Sequence, residues 1–205
     1  SSHGPKDPDI VETLSDEIAA AREGLELCRK KLPNARITYM AGNHTVRLER
    51  FIMTHARPFW NMFDLKIEYG LERLNIEWHP YNEPFWIVPE RLYVQHSPPS
   101  YGVSGSMTSL QKRPGATGIF GCTHRMQQSH MTDVNGVYHS VFFNGWLGSA
   151  TISENHKRYF KYAKNHQNWQ QGFAIATVEE GGEFFVNQHL IKNYKTVVGD
   201  TLYEG

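Results

Sequence analysis

Cysteine is scarce: Cys28 and Cys122 are the only two in 205 residues. Two cysteines cannot build a disulfide framework, so the expected compartment is reducing and cytosol-like. Net charge is absent as well, with 21 Lys+Arg against 21 Asp+Glu. That balance excludes a broadly basic nucleic-acid clamp and an acidic disordered tail. No apolar run approaches the ~20 residues of a membrane span, and no signal-peptide pattern opens the chain, so no membrane partner is expected. No internal repeat or low-complexity tract stands out. An initiator methionine is also missing, since the chain opens Ser1-Ser2-His3-Gly4. The expectation is a piece of something longer.

What is present suffices for a core: 40% of residues are hydrophobic and 13% aromatic. The length fits a single domain over 1–205. Val11, Leu14, Ile18, Ala21, Leu25, Cys28 and Leu32 recur at spacings of three and four, which predicts a helix with Cys28 on its buried stripe. Asp9 and Glu12 stand as a capping box at its start, and Pro33-Asn34 ends it. A strand over 36–40 follows, then Gly42-Asn43-His44 and a helix starting at Thr45 as its N-cap, with Leu48, Phe51, Ile52 and His55 on one side. Aromatic residues between Arg57 and Pro89 (Phe59, Trp60, Phe63, Trp78, Tyr81, Phe85, Trp86) read as core packing around a helix over 68–74 and a strand over 76–78. Further strands are expected at 92–94, 118–120, 137–143, 173–178 and 184–187, the last two joined by a hairpin at Glu179-Glu180-Gly181-Gly182. The fold class is α/β.

Three of these strands end in metal-ligand residue types: Asn43 with His44, then His96, then Cys122 with His124. A sheet brings such ends to one edge, where α/β proteins place their chemistry. Imidazole, thiolate and amide oxygen together suit Zn²⁺, Mn²⁺ or Fe²⁺ better than Ca²⁺. Lys157-Arg158-Tyr159-Phe160-Lys161-Tyr162-Ala163-Lys164 interleaves four basic with three aromatic residues, a pattern that can follow single-stranded nucleic acid or form a solvated face. Trp169-Gln170-Gln171 could pack over the active edge, although nothing in the residues demands it.

Gly42-Asn43-His44, His96 and Gly121-Cys122-Thr123-His124 resemble, in order, the later motifs of the calcineurin-like metallophosphoesterases: G-N-H-[DE], a lone histidine after a strand, and G-H-T-H. Asn43-His44-Thr45-Val46-Arg47-Leu48-Glu49-Arg50 and Asn168-Trp169-Gln170-Gln171-Gly172-Phe173 resemble the phage-borne branch, which places the protein in a host cytoplasm. The resemblance implies a layered sandwich of mixed β-sheets flanked by helices. It also implies two divalent ions, a bridging water that attacks phosphorus, and hydrolysis of a phosphomono- or phosphodiester. Asn43, His96 and Cys122 would hold one ion and His124 the other. His44 would touch the phosphate and protonate the leaving oxygen. Arg47 and His130, the latter six residues after His124, are the candidate substrate contacts.

Two departures from the family pattern matter. Cys122 stands where the family has histidine, which favours Zn²⁺ or Fe²⁺ over Mn²⁺. The family's early D-x-H and G-D-x-x-D motifs are absent; His3, Asp7 and Asp9 have neither spacing. Lys6-Asp7-Pro8-Asp9 resembles text that follows the aspartate motif in phage-type relatives, so the expectation is a domain lacking its first strands and half its site. The chain is then a hydrolase completed by a missing amino-terminal segment or a complementing chain. The alternative is a degenerate, non-catalytic scaffold that binds protein or nucleic acid.

Overall fold

A computed structural model describes residues 14–102, 104–112, 115–148 and 168–205. The chain is mixed α/β with several sheets and few helices. It divides into two compact units, Ser1–Glu83 and Pro84–Gly205. The expected capping box at Asp9 and Glu12, the weighed candidates His3 and Asp7, and the basic-aromatic run at 157–164 lie outside the described residues. No helix among the described residues is long and apolar enough to cross a membrane.

In the first unit, helix α1 (Leu14–Lys31) carries Asp16 and Glu17 in its first turn and Arg29, Lys30 and Lys31 in its last. This arrangement complements the helix dipole. Its stripe is shallower than the spacing predicts: Ile18 is buried and Leu25 half-buried, whereas Cys28 is exposed rather than in the core. Two arginines two turns apart do the docking instead. The Arg22 Nε donates to the Glu68 carbonyl at 2.8 Å and the Arg29 Nε to the Leu74 carbonyl at 2.8 Å.

Strand β1 (Ile37–Met40) pairs in parallel with β2 (Ile76–His79), Ile37 opposite Ile76. Leu71, Leu74 and Ile76 form the buried cluster beneath, with Leu25, Tyr39 and Trp78 packed on it. Helix α2 (Asn43–His55) starts two residues earlier than expected. Gly42, in extended conformation, is the N-cap. Thr45 is not the cap but the third helical residue, and its hydroxyl accepts the Gly42 N–H at 3.2 Å, half of a capping box. A 3-10 turn over Arg57–Met62 follows. The helix expected at 68–74 is a single turn, α3 (Leu65–Glu68). Asp64 caps it early by accepting the Lys66 N–H, and Gly70 ends it at φ +67°. Phe59 and Trp60 are exposed, not core residues, while Trp78 stacks on Tyr39 at 5.5 Å.

The second unit is built on a five-stranded mixed sheet in the order β3-β4-β5-β7-β6. Its strands are β3 (Phe85–Val88), β4 (Leu92–Gln95), β5 (Thr117–Phe120), β6 (Gln127–Thr132) and β7 (Tyr138–Phe143). β4, β5 and β7 are parallel; β3 and β6 are antiparallel edge strands. Alternation sorts the side chains between two faces. Tyr93, Phe120, Val141 and Phe143 pack with Leu110 of α4 (Gly105–Lys112). Leu92, Ile119 and Phe142 pack with Ala174, Ala176, Phe184 and Val186 of a hairpin, β8 (Gln171–Val178) and β9 (Phe184–Ile191). Helix, sheet and hairpin thus form three layers. Gly118 admits no side chain, since a Cβ there would lie 2.7 Å from the Phe120 ring. The expected hairpin at 179–182 is present, closed by Glu179 N–H to the Glu183 carbonyl with Gly182 at φ +79°. A second hairpin, β10 (Lys195–Val198) and β11 (Thr201–Glu204), extends β9 and was not evident from the sequence.

Candidate functional site

Parallel pairing of β4 and β5, with Gln95 opposite Phe120, makes the two strands finish side by side. His96 follows the first and Gly121-Cys122-Thr123-His124 the second. The Gly121 N–H donates to the His96 carbonyl at 3.2 Å, so the loops run together past the last strand residues. The turn is tight, with the Thr123 N–H on the Gly121 carbonyl at 2.5 Å. It delivers His124 in the left-handed region at φ +56°, a conformation that costs a non-glycine residue energy unless its surroundings enforce it.

Those surroundings come from three segments. The Gln170 N–H donates to the His124 carbonyl at 3.0 Å, the Trp146 N–H to the Gln170 carbonyl at 3.0 Å, and the Met126 N–H to the Gln170 side chain at 3.1 Å. The His124 ring lies against Trp146 (6.1 Å between centres, 26°) and edge-on to Trp169 (4.4 Å, 87°). Trp169 therefore does pack against a predicted ligand. Trp146, Tyr101 and Ser97 had no signal of their own in the sequence. Gly145 precedes Trp146 where a Cβ would stand 2.2 Å from the Gln170 carbonyl oxygen, so only glycine lets the segments cross.

The electrostatics of this edge favour uncharged donors. Burial, and secondarily the neighbouring His124, push the His96 pKa below its ordinary value. Burial lowers that of His124 as well. Both imidazoles are therefore neutral at pH 7, the form that offers a lone pair to a metal. Burial pushes the Cys122 thiol up, against the lowering effect of hydrogen bonds with Ser97 and Tyr101. It stays protonated unless a metal displaces the proton. Among the described residues no three His, Cys, Asp or Glu side chains gather closely enough to hold a metal ion. Two neutral imidazoles with a nearby thiol suit Zn²⁺ or Fe²⁺ as partial donors, without a carboxylate.

Asn43, His44 and Arg47 belong to the first unit. Asn43 and His44 open α2 directly beyond the carboxyl end of β1, Asn43 half-buried and His44 exposed. Arg47, half-buried one turn on, shares the Asn43 face. His130 is not brought to the edge that carries His96 and His124. It sits on β6 opposite Ser140, level with the amino end of β5, at the other end of the same sheet. No protein-family model matches the chain, and no curated protein matches it.

Proposed function

We propose that the chain carries the later half of a calcineurin-like metallophosphoesterase site and serves metal-dependent hydrolysis of a phosphate ester. The observation that carries this reading is the position of His96, Cys122 and His124 just past the carboxyl ends of adjacent parallel strands, with His96 and His124 neighbours and both imidazoles neutral. The three-layer arrangement of the second unit supports the family's sandwich architecture. In this reading of the complete site His96 and Cys122 are ligands for one divalent ion and His124 for the other; Asn43 keeps the ligand role that the resemblance alone gives it. Bound divalent ions supply an activated water and neutralise charge on phosphate oxygens. His44, exposed at the start of α2, gives its proton to the leaving oxygen, and Arg47 contacts the phosphate.

The sequence contains no D-x-H or G-D-x-x-D carboxylates. Two divalent ions held only by neutral groups repel one another. The chain as it stands therefore binds at most one ion tightly and turns over phosphodiesters slowly, pending carboxylates from another segment. Calorimetry with Zn²⁺ and Mn²⁺, beside turnover of bis-p-nitrophenyl phosphate, tests this. Without the carboxylates that separate two sites, the neighbouring His96 and His124 share the single ion, so one Zn²⁺ per chain, lost in His96→Ala and His124→Ala but kept in His130→Ala, is the expected result. Robust turnover by the chain alone overturns the half-site, and failure to bind either ion overturns the metal reading. The protonated, hydrogen-bonded Cys122 favours a second reading, a degenerate scaffold that only binds partners. A Cys122→His variant that gains Mn²⁺ affinity speaks for the enzyme, and one that gains none for the scaffold.

A further inference from the structure

A cavity of about 370 Å³ opens at the end of the sheet away from His96 and His124. Its wall is the hairpin-facing side of β6 and β7, where His130 pairs with Ser140 and Gln128 with Phe142; Phe184 and Asn187 of β9 also line it. The His130 Nδ1 is engaged by the Tyr138 hydroxyl at 2.6 Å and the Ser140 hydroxyl at 2.8 Å. The phenol, the better donor, gives its proton to Nδ1, which puts the ring proton on Nε2. That nitrogen has no protein partner among the described residues.

The two rings lie within 14° of parallel, 5.8 Å between centres. The phenol oxygen lies in one ring plane and Nδ1 in the other, and 2.6 Å separates them. The planes are thus closer than the ~3.5 Å of a face-to-face stack. Near-parallel and joined at one edge by that hydrogen bond, the two rings form a shelf. Tyr138 is 61% exposed, so the shelf is open to solvent.

Charge narrows what the shelf can take. Arg91, the cation at the rim, is neutralised by Glu183 at 3.0 Å and lies over the Phe184 ring. Among the described residues that line it, a free anion finds no unpaired positive charge. The Gln128 and Asn187 amides, which have no side-chain partners among the described residues, and the His130 Nε2–H offer donors and acceptors to a neutral edge. The volume falls in the range of small-molecule sites.

We propose that this cavity binds a flat, uncharged heteroaromatic ring with a hydrogen-bonding edge, the base of a nucleoside, stacked on the Tyr138–His130 shelf. The cavity contains none of the ligands of the phosphoesterase reading; His130, a candidate substrate contact there, serves this cavity instead. The test is an NMR titration of the full chain with adenosine and cytidine, with ribose and inorganic phosphate as controls. A nucleoside is expected to give saturable shifts of the His130 ring and Gln128 amide. Tyr138→Ala is expected to weaken binding about 5- to 150-fold, the range for removing a base-stacking aromatic, while Tyr138→Phe keeps most of it. The proposal is overturned if neither nucleoside gives saturable shifts, if Tyr138→Ala binds equally well, or if ribose or phosphate alone reproduces the shifts.

Discussion

Replacing Arg29 should unfasten α1 from the sheet beside it. Its guanidinium reaches five carbonyl oxygens: Leu74 at 2.8 Å from Nε, Leu32, Pro33 and Ala35 at 3.0, 3.2 and 2.8 Å from one terminal nitrogen, and Asn75 at 2.6 Å from the other. The first terminal nitrogen has two hydrogens for three acceptors, so at most four of these bonds reach full strength. The Leu74 bond is partly buried and the other four are exposed. After Arg29→Ala, water repairs the exposed carbonyls, and the loss is dominated by the Leu74 bond. A hydrogen bond to a charged group contributes about 1.5–3 kcal/mol, so the expected destabilisation is about 2 kcal/mol. Arg29→Lys should lose more than half of that, because a single ammonium cannot span both the helix end and the 74–75 turn. Urea denaturation gives the total, and hydrogen exchange locates it. Protection should fall at the Leu74 and Ile76 amides, which donate to Gly70 and Leu71, and hold at Ile119 and Phe142. An alanine variant within about 0.5 kcal/mol of the parent, the level of an ordinary surface change, or a lysine variant equal to it, refutes the reasoning.

Other expectations follow from single positions. Gly118→Ala forces a methyl to within 2.8 Å of the Tyr93 hydroxyl and closer to Phe120; the cost should be about 1–3 kcal/mol, and an unchanged urea midpoint would refute it. Gly145→Ala drives a Cβ into the Gln170 carbonyl and shifts Trp169 away from His124; Zn²⁺ affinity should fall about tenfold, or 1.4 kcal/mol, and equal affinity counts against the three-segment mount. The Asp133 carboxylate accepts the Val137 and Asn135 N–H groups and contacts His139 Nε2, which together hold its pKa below the ordinary value. Its stabilising effect is therefore full above the unfolded value of about 3.9 and is lost as pH falls through the lower folded value. Asp133→Asn should flatten the acid limb of a stability-pH curve; an unaltered limb would show that these bonds do not persist in solution.

The legible parts of the fold were those with a strong local pattern. β4, β5 and β7 read as strands because their apolar runs are buried on both faces, as parallel strands require. The 179–182 turn read as a hairpin because glycine at the left-handed position is a local demand. β6, Gln127-Gln128-Ser129-His130-Met131-Thr132, was unreadable: an edge strand with one partner needs few apolar residues, and it carries one. Thr45 misled because its hydroxyl, which at a cap would accept from the helix, here takes the glutamate's place in a capping box and reaches back to the Gly42 N–H. Cys28 and Phe59 misled for a shared reason. Periodicity and aromatic content state what could be buried, and a two-stranded sheet offers too little surface to bury it.

The candidate site shows the same division. His96 and His124 share one edge, as expected, because parallel neighbours put their carboxyl ends together, a consequence of strand direction alone. His130 was misplaced by counting along the chain, six residues from His124, without the reversal into β6. From the level of Phe120 back to that of Thr117, strand rise carries His130 about 10 Å away. Co²⁺ bound at His96 and His124 should therefore broaden those two ring resonances most strongly and His130 far less. Equal broadening of all three would return His130 to the metal edge. It would also remove the basis for a separate cavity at the far end of the sheet.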